Sequence, residues 1–169
     1  MLSKLELVIQ KKKWPSDKWI DLISKLDALG ISLVFTGQGV HEAKDIEQVI
    51  KGKSFCYDLS NKLSWDEYVS TVHHGKLFLG VDSVGAHIAS CFNVPTVIIS
   101  GGIMGAMRQF RPVHHRVQVL SKSMPCNPCF FSKRGCDAMS CIIEVDSSDV
   151  LKAMRHLIEL DVVKPFTVH

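Results

Sequence analysis

An apolar run, Leu77-Phe78-Leu79-Gly80-Val81, meets Asp82-Ser83 and passes directly into the small-residue stretch Val84-Gly85-Ala86-His87-Ile88-Ala89-Ser90. A short apolar run ending in a helix-starting pair predicts a strand that feeds a helix. In an open parallel sheet the carboxyl ends of the strands face the ligand crevice. The first turn of the following helix offers unpaired backbone N–H groups to an anion there. Ser83 is expected to cap that helix. Gly85 and Ala86 are expected to let a phosphate approach the backbone, and His87, one turn after Ser83, to share its face. The same pair is also what an ordinary N-cap looks like, and a histidine at that spacing is also a common core residue. The rest of the chain has to choose between these readings.

Strand-like and helix-like segments alternate along the whole chain. Leu5–Ile9 reads as a strand, and a helix after Pro15-Ser16 carries Trp19, Leu22, Ile23, Leu26 and Leu29 until Gly30 stops it. Ile31–Phe35 is the next strand. The loop Thr36-Gly37-Gln38-Gly39 then leads into a helix with Ala43, Ile46, Val49 and Ile50 inward. Phe55–Asp58 is a short strand, and Ser64-Trp65-Asp66-Glu67 has the spacing of a capping box. Thr96–Ser100 and Arg116–Leu120 are two more strands, with the loop Gly101–Gly105 after the first of them. Residues 121–141 read as irregular, and a last helix from Ser147-Ser148-Asp149 carries Val150, Leu151, Met154, Leu157 and Ile158. Five or six strands separated by helices predict an α/β fold, a Rossmann-like parallel sheet with helices on both faces.

At 169 residues, 46% apolar and 22% charged, the chain suits one domain with a substantial core. A net charge of +3 is too slight to indicate a nucleic-acid partner. Basic residues do cluster locally: Lys11-Lys12-Lys13, and Arg108, Arg111, His114, His115 and Arg116, are expected to flank an anionic small molecule or to form solvated faces. No apolar run is long enough to span a bilayer, and the N-terminus has no secretory pattern, so a reducing cytoplasm is the expected setting for the six cysteines.

Five landmarks stand in one order: Lys12-Lys13-Trp14-Pro15, Thr36-Gly37 with Glu42, Asp82-Ser83 with His87, Gly101-Gly102, and Cys126-Asn127-Pro128-Cys129. Over about residues 5 to 160 this order resembles the C-terminal half of the heptosyltransferase-like glycosyltransferases of family 9, bacterial enzymes with two Rossmann-like domains in the GT-B arrangement. The resemblance implies a nucleotide-sugar domain over residues 1–169 and transfer of a sugar, heptose from ADP-heptose in the first place, to a lipopolysaccharide-core acceptor. It also implies a location in the cytoplasm or at the inner membrane face. Lys12 matches the family lysine that meets donor phosphate, a task suited to a compact ammonium. Glu42 matches the acidic residue that accepts hydrogen bonds from ribose, and Asp82 and Ser83 match the donor-binding pair. Thr36, Gly37, Gly85, His87, Gly101 and Gly102 complete the implied donor site. Two positions depart from the usual pattern: Val84 stands where the family has Gly, and Ser100-Gly101-Gly102-Ile103 where it has Phe-Gly-Pro-Thr.

Family enzymes keep their acidic general base in the N-terminal acceptor domain. That domain is expected to be absent here, so no catalytic residue is assigned and the chain alone is expected to be inactive. No cofactor is expected for catalysis. Cys126, Cys129, Cys136 and Cys141 form C-x2-C-x6-C-x4-C, a spacing that suits a tetrahedral structural zinc as well as free thiols. Cys56 and Cys91 read as buried. Two other readings remain. One is a degenerate sugar-nucleotide binding or interaction module. The other is an α/β-hydrolase-like esterase, for which the nucleophile elbow would need Gly where Val81 stands and a triad completed by Asp146 and His156.

Overall fold

The computed structural model describes residues 6–10, 14–101, 112–113, 115–126 and 139–162. Its strands are β1 (Glu6–Gln10), β2 (Ser32–Thr36), β3 (Cys56–Asp58), β4 (Leu77–Val81), β5 (Thr96–Ile99) and β6 (Val117–Leu120). Its helices are α1 (Ser16–Asp27), α2 (Val40–Ile50), α3 (Trp65–His74), α4 (Val84–Cys91), α5 (Ser140–Ile143) and α6 (Ser147–Val162). The strands form one sheet in the order β3-β2-β1-β4-β5-β6, and every neighbouring pair is parallel. The chain walks outward from β1 to β3 and then restarts on the other side of β1 with β4. That reversal opens a crevice at the carboxyl ends of β1 and β4.

Strand periodicity divides the core into two layers. Leu7 and Ile9 on β1, and Leu77 and Leu79 on β4, face a layer with Trp19, Leu22, Phe35, Ile46 and Met154, from α1, α2, β2 and α6. Val8 and Phe78 point the other way and pack with Val72, Ala86, Ala89 and Ile98. α3 and α4 therefore cover one face, and α1, α2 and α6 the other. β4 is buried along its whole length, as its uninterrupted apolar sequence requires.

The local signals behave as their chemistry dictates. Ser64 Oγ accepts from the Glu67 N–H at 3.3 Å while Glu67 Oε2 accepts from the Ser64 N–H at 2.8 Å, a complete capping box opening α3. These hydrogen bonds hold the exposed Glu67 carboxyl below its ordinary pKa. Gly30, with φ of +68°, turns the chain out of α1 in a region that side chains avoid.

Several expectations need correction. α1 ends at Asp27, so Leu29 lies in the turn beyond it and is exposed rather than inward. Ala43 and Ile50 are half-buried, as is Cys56, while Cys91 at the end of α4 is exposed. The segment 121–141 is not wholly irregular, because the short α5 begins inside it. No helix among the described residues is long and apolar enough to cross a membrane.

Candidate functional site

The ends of β2 and β4 build the site together with α3. Thr36 closes β2, is buried, and donates its hydroxyl to the Ile9 carbonyl of β1 at 3.4 Å. The chain then turns through Gly37, where a Cβ would fall 2.8 Å from Glu42 Cγ. That position is glycine so that the Glu42 side chain can lie back over the loop. Glu42 Oε2 accepts from the Gln38 N–H at 3.1 Å, and Oε1 is buried without a partner. Asn61 pins the same loop from below: its Oδ1 accepts from the Gly39 N–H at 2.7 Å and its N–H donates to the Gly37 carbonyl at 2.9 Å. Asn61 pays for this with φ of +56°, which asparagine tolerates better than most residues.

At the end of β4, Asp82 is exposed and Ser83 occupies the N-cap of α4 with extended backbone. Its hydroxyl does not cap the helix, contrary to expectation. Oγ is buried and makes no hydrogen bond. The first turn of α4 thus keeps its outward N–H groups free of a side-chain cap. Gly85 and Ala86 are both buried, and a Cβ on Gly85 would meet Tyr68 Oη at 2.2 Å and the Phe78 ring at 2.7 Å. The space beside Gly85 is therefore taken by the Tyr68 hydroxyl and the Phe78 ring, and a ligand does not enter it. Val84 faces outward, 52% exposed, and His87 is exposed on the same helix.

A cleft of about 490 Å³ lies between these strand ends and α3, lined by Thr36, Gly37, Leu59, Leu63, Trp65, Tyr68 and Val84 among others. Trp65 is 59% exposed, and its ring centroid lies 6.0 Å from that of Tyr68. Tyr68 Oη is the third buried polar atom here with no partner. Burial, and secondarily the charge of Glu42, push the Tyr68 phenol up to about 12, so it stays a neutral donor. Sequence reasoning found Thr36, Gly37 and Glu42 but missed Leu59, Leu63, Trp65 and Tyr68. The one available signal was an aromatic at each of two positions in the first turns of a helix that opens with a capping box.

Lys12 and Gly102 lie outside the described residues, as do Lys11, Lys13, Arg108, Arg111 and His114. Gly101, half-buried, follows β5 at the same edge of the sheet. His115 and Arg116 do not join this site. They precede β6, and the Arg116 carbonyl accepts from the Thr96 N–H at the amino end of β5, the far edge of the sheet from Ser83. Trp14 is packing: 2% exposed, it donates Nε1–H to the Val145 carbonyl at 2.9 Å and meets Trp19 edge to face. The hydrolase triad does not assemble, because Asp146 pairs with Lys18 at 3.1 Å and His156 rides on α6, across the sheet from α4. Of the four clustered cysteines, Cys129 and Cys136 lie outside the described residues. Cys141 is buried and Cys126 exposed, and the described residues alone contain no group of three metal-ligating side chains.

A 3-2-1-4-5-6 parallel sheet with helices on both faces defines a Rossmann-like α/β class of domain. Residues 6–139 match the description Glycosyltransferase family 9 (heptosyltransferase), and the chain belongs to that family. Lipopolysaccharide heptosyltransferase 3 of Escherichia coli is 30% identical over 96 residues, which are 53% of this chain and 27% of that protein. The structure of E. coli ADP-heptose lps heptosyltransferase II superposes with a TM-score of 0.76 at 16% identity, covering 95% of this chain and 48% of that one. An E. coli heptosyltransferase solved with ADP-2-deoxy-2-fluoro heptose gives 0.70 at 15% identity, covering 90% and 43%. An iron-containing dodecameric heptosyltransferase solved with ADP-D-beta-D-heptose gives 0.68 at 16%, covering 96% and 49%. The chain thus spans about half the length of the solved enzymes whose fold it shares.

Proposed function

We propose that this domain is the donor-binding half of an inverting glycosyltransferase that takes a nucleoside diphosphate sugar, ADP-heptose in the first place. The observation that carries this reading is the pair of buried, unpartnered oxygens, Glu42 Oε1 and Ser83 Oγ, at the carboxyl edge of the sheet beside a cleft of about 490 Å³. A buried acceptor or hydroxyl left unpaired costs stability, so such atoms mark places where a ligand completes the hydrogen bonding. In this reading the diphosphate lies against the first turn of α4, where N–H groups and Lys12 offset its charge. The ribose hydroxyls donate to Glu42, and Asp82 and His87 stand at the rim. Gly101 and Gly102 border the sugar. Family enzymes solved with ADP or an ADP-heptose analogue support the choice of nucleotide.

The acceptor, a lipopolysaccharide-core sugar, and the base that deprotonates it belong to the N-terminal acceptor domain of the GT-B arrangement. Reaction needs the acceptor and its base held against the anomeric carbon, which one side of a cleft does not achieve. Transfer therefore takes place only when both domains meet, in the cytoplasm in this reading. Sugar transfer by these 169 residues alone, read by mass spectrometry of the acceptor, would contradict this division of labour.

The four cysteines bind one structural zinc in the same reading, with no step of transfer running through it. The Lys122 N–H donates to the Cys141 carbonyl at 2.9 Å, which brings together the two ends of the sequence segment that contains all four cysteines. Clipping such a loop lowers the entropy of the competing open chain. Elemental analysis of protein purified without added metal should find about one zinc per chain, and a chelator should lower the melting temperature. One iron per chain would replace zinc by the metal that a structural relative contains. Metal-free protein with unchanged stability would remove the site.

A further inference from the structure

Tyr68 sits in the second turn of α3 and lines the cleft between the ends of β2 and β4. Its hydroxyl oxygen is buried and has no hydrogen-bond partner. The position of that oxygen is specific. It fills the space a side chain at residue 85 would need, 2.2 Å from where a Cβ would stand, and so touches the first turn of α4 directly. A phenylalanine would fill the same volume without leaving a polar group unpaired, and an unpaired buried hydroxyl is a net cost. The phenol also stays protonated, since burial and the nearby Glu42 carboxylate both disfavour its ionised form. What the fold holds at this point is therefore a neutral O–H donor, against the first turn of α4 and within the electrostatic reach of Glu42.

We infer that Tyr68 is a nucleotide-recognition residue: its hydroxyl donates a hydrogen bond to an oxygen or ring nitrogen of the bound nucleoside diphosphate, and Gly85 is glycine so that the hydroxyl reaches that place. The inference rests on the donor-site reading above and adds to it a contact made by α3. It also explains the missing Cβ at position 85 as room for a recognition group, beyond the close seat of α4 on its strand.

The test compares the 169-residue chain with Tyr68→Phe by two measurements: the melting temperature without nucleotide, and the Kd for ADP by calorimetry at a temperature where both are folded. Removing an unsatisfied hydroxyl should leave the melting temperature unchanged or raise it, and losing one hydrogen bond to the ligand should weaken ADP by about threefold to tenfold. An unchanged ADP affinity overturns the inference and leaves the donor site standing. A lower melting temperature for Tyr68→Phe also overturns it, because the hydroxyl would then serve the fold. A wild-type chain that does not bind ADP removes the donor-site reading and this inference together.

Discussion

Trp14→Ala should lower the stability of the domain by about 4 kcal/mol, the usual cost of emptying a tryptophan site in a packed core. The ring is 2% exposed, lies edge to face on Trp19 at 5.0 Å, and its Nε1–H donates to the Val145 carbonyl 131 residues away. Lys18 Nζ donates to the same carbonyl at 3.0 Å, and Ser147 Oγ bonds to Asp21 and Lys25 nearby. The start of α1 is thereby riveted to the link between α5 and α6. For a domain of this size the loss corresponds to a fall in melting temperature of about 10 °C. Trp14→Phe keeps an aromatic ring but loses the hydrogen bond and part of the ring volume, so it should cost about 2 kcal/mol. Equal losses in the two variants would show that the aromatic contact with Trp19 does not hold this corner.

Lys12→Ala should have the largest effect on ligand affinity, weakening ADP by about 2 kcal/mol or roughly thirtyfold in Kd, since a contact between an ammonium and a phosphate is charge-assisted. Ser83→Ala removes a neutral hydroxyl and should cost about 1 kcal/mol, close to fivefold. The ranking matters more than either value. Phosphate recognition by Lys12 also predicts that the gap between wild type and Lys12→Ala narrows as salt is raised, while the effect of Ser83→Ala stays constant. Calorimetry at two ionic strengths reads both. Wild-type affinity in Lys12→Ala would take the lysine out of the donor site.

Much of this fold was legible in the sequence because its signals are local. The capping box at Ser64 and Glu67, the stop at Gly30 and the apolar run of β4 each act within a few residues, and each forms as its spacing dictates. The order of the five landmarks from Lys12-Lys13-Trp14-Pro15 to Cys126-Asn127-Pro128-Cys129 is enough to indicate family 9, as the match over residues 6–139 bears out. What was not legible depends on contacts across the fold. Arg116 is close in sequence to basic residues that were grouped with it, yet the strand it precedes begins at the opposite edge of the sheet from Ser83. Gly85 looked like access for a phosphate because sequence cannot show that Tyr68 and Phe78 occupy its open side. Cys91 reads as buried because α4 is mostly small and apolar, but it stands on the outward side of the last turn, whose inward side is Ala89 and Ser90. Tyr68 was overlooked for the same reason. Its importance lies in the neighbours that α3 brings it against.

The cleft between the ends of β2 and β4 and helix α3 should bind a nucleoside diphosphate, ADP in preference to the others. Titrating the 169-residue chain with ADP, UDP, GDP and CMP while following thermal unfolding tests it most directly, because a ligand that binds only the folded state raises its stability by mass action. ADP should raise the melting temperature most, in a concentration-dependent way that Lys12→Ala and Ser83→Ala both reduce. A melting temperature that none of the four nucleotides moves, or a shift by ADP that both variants retain in full, would contradict it.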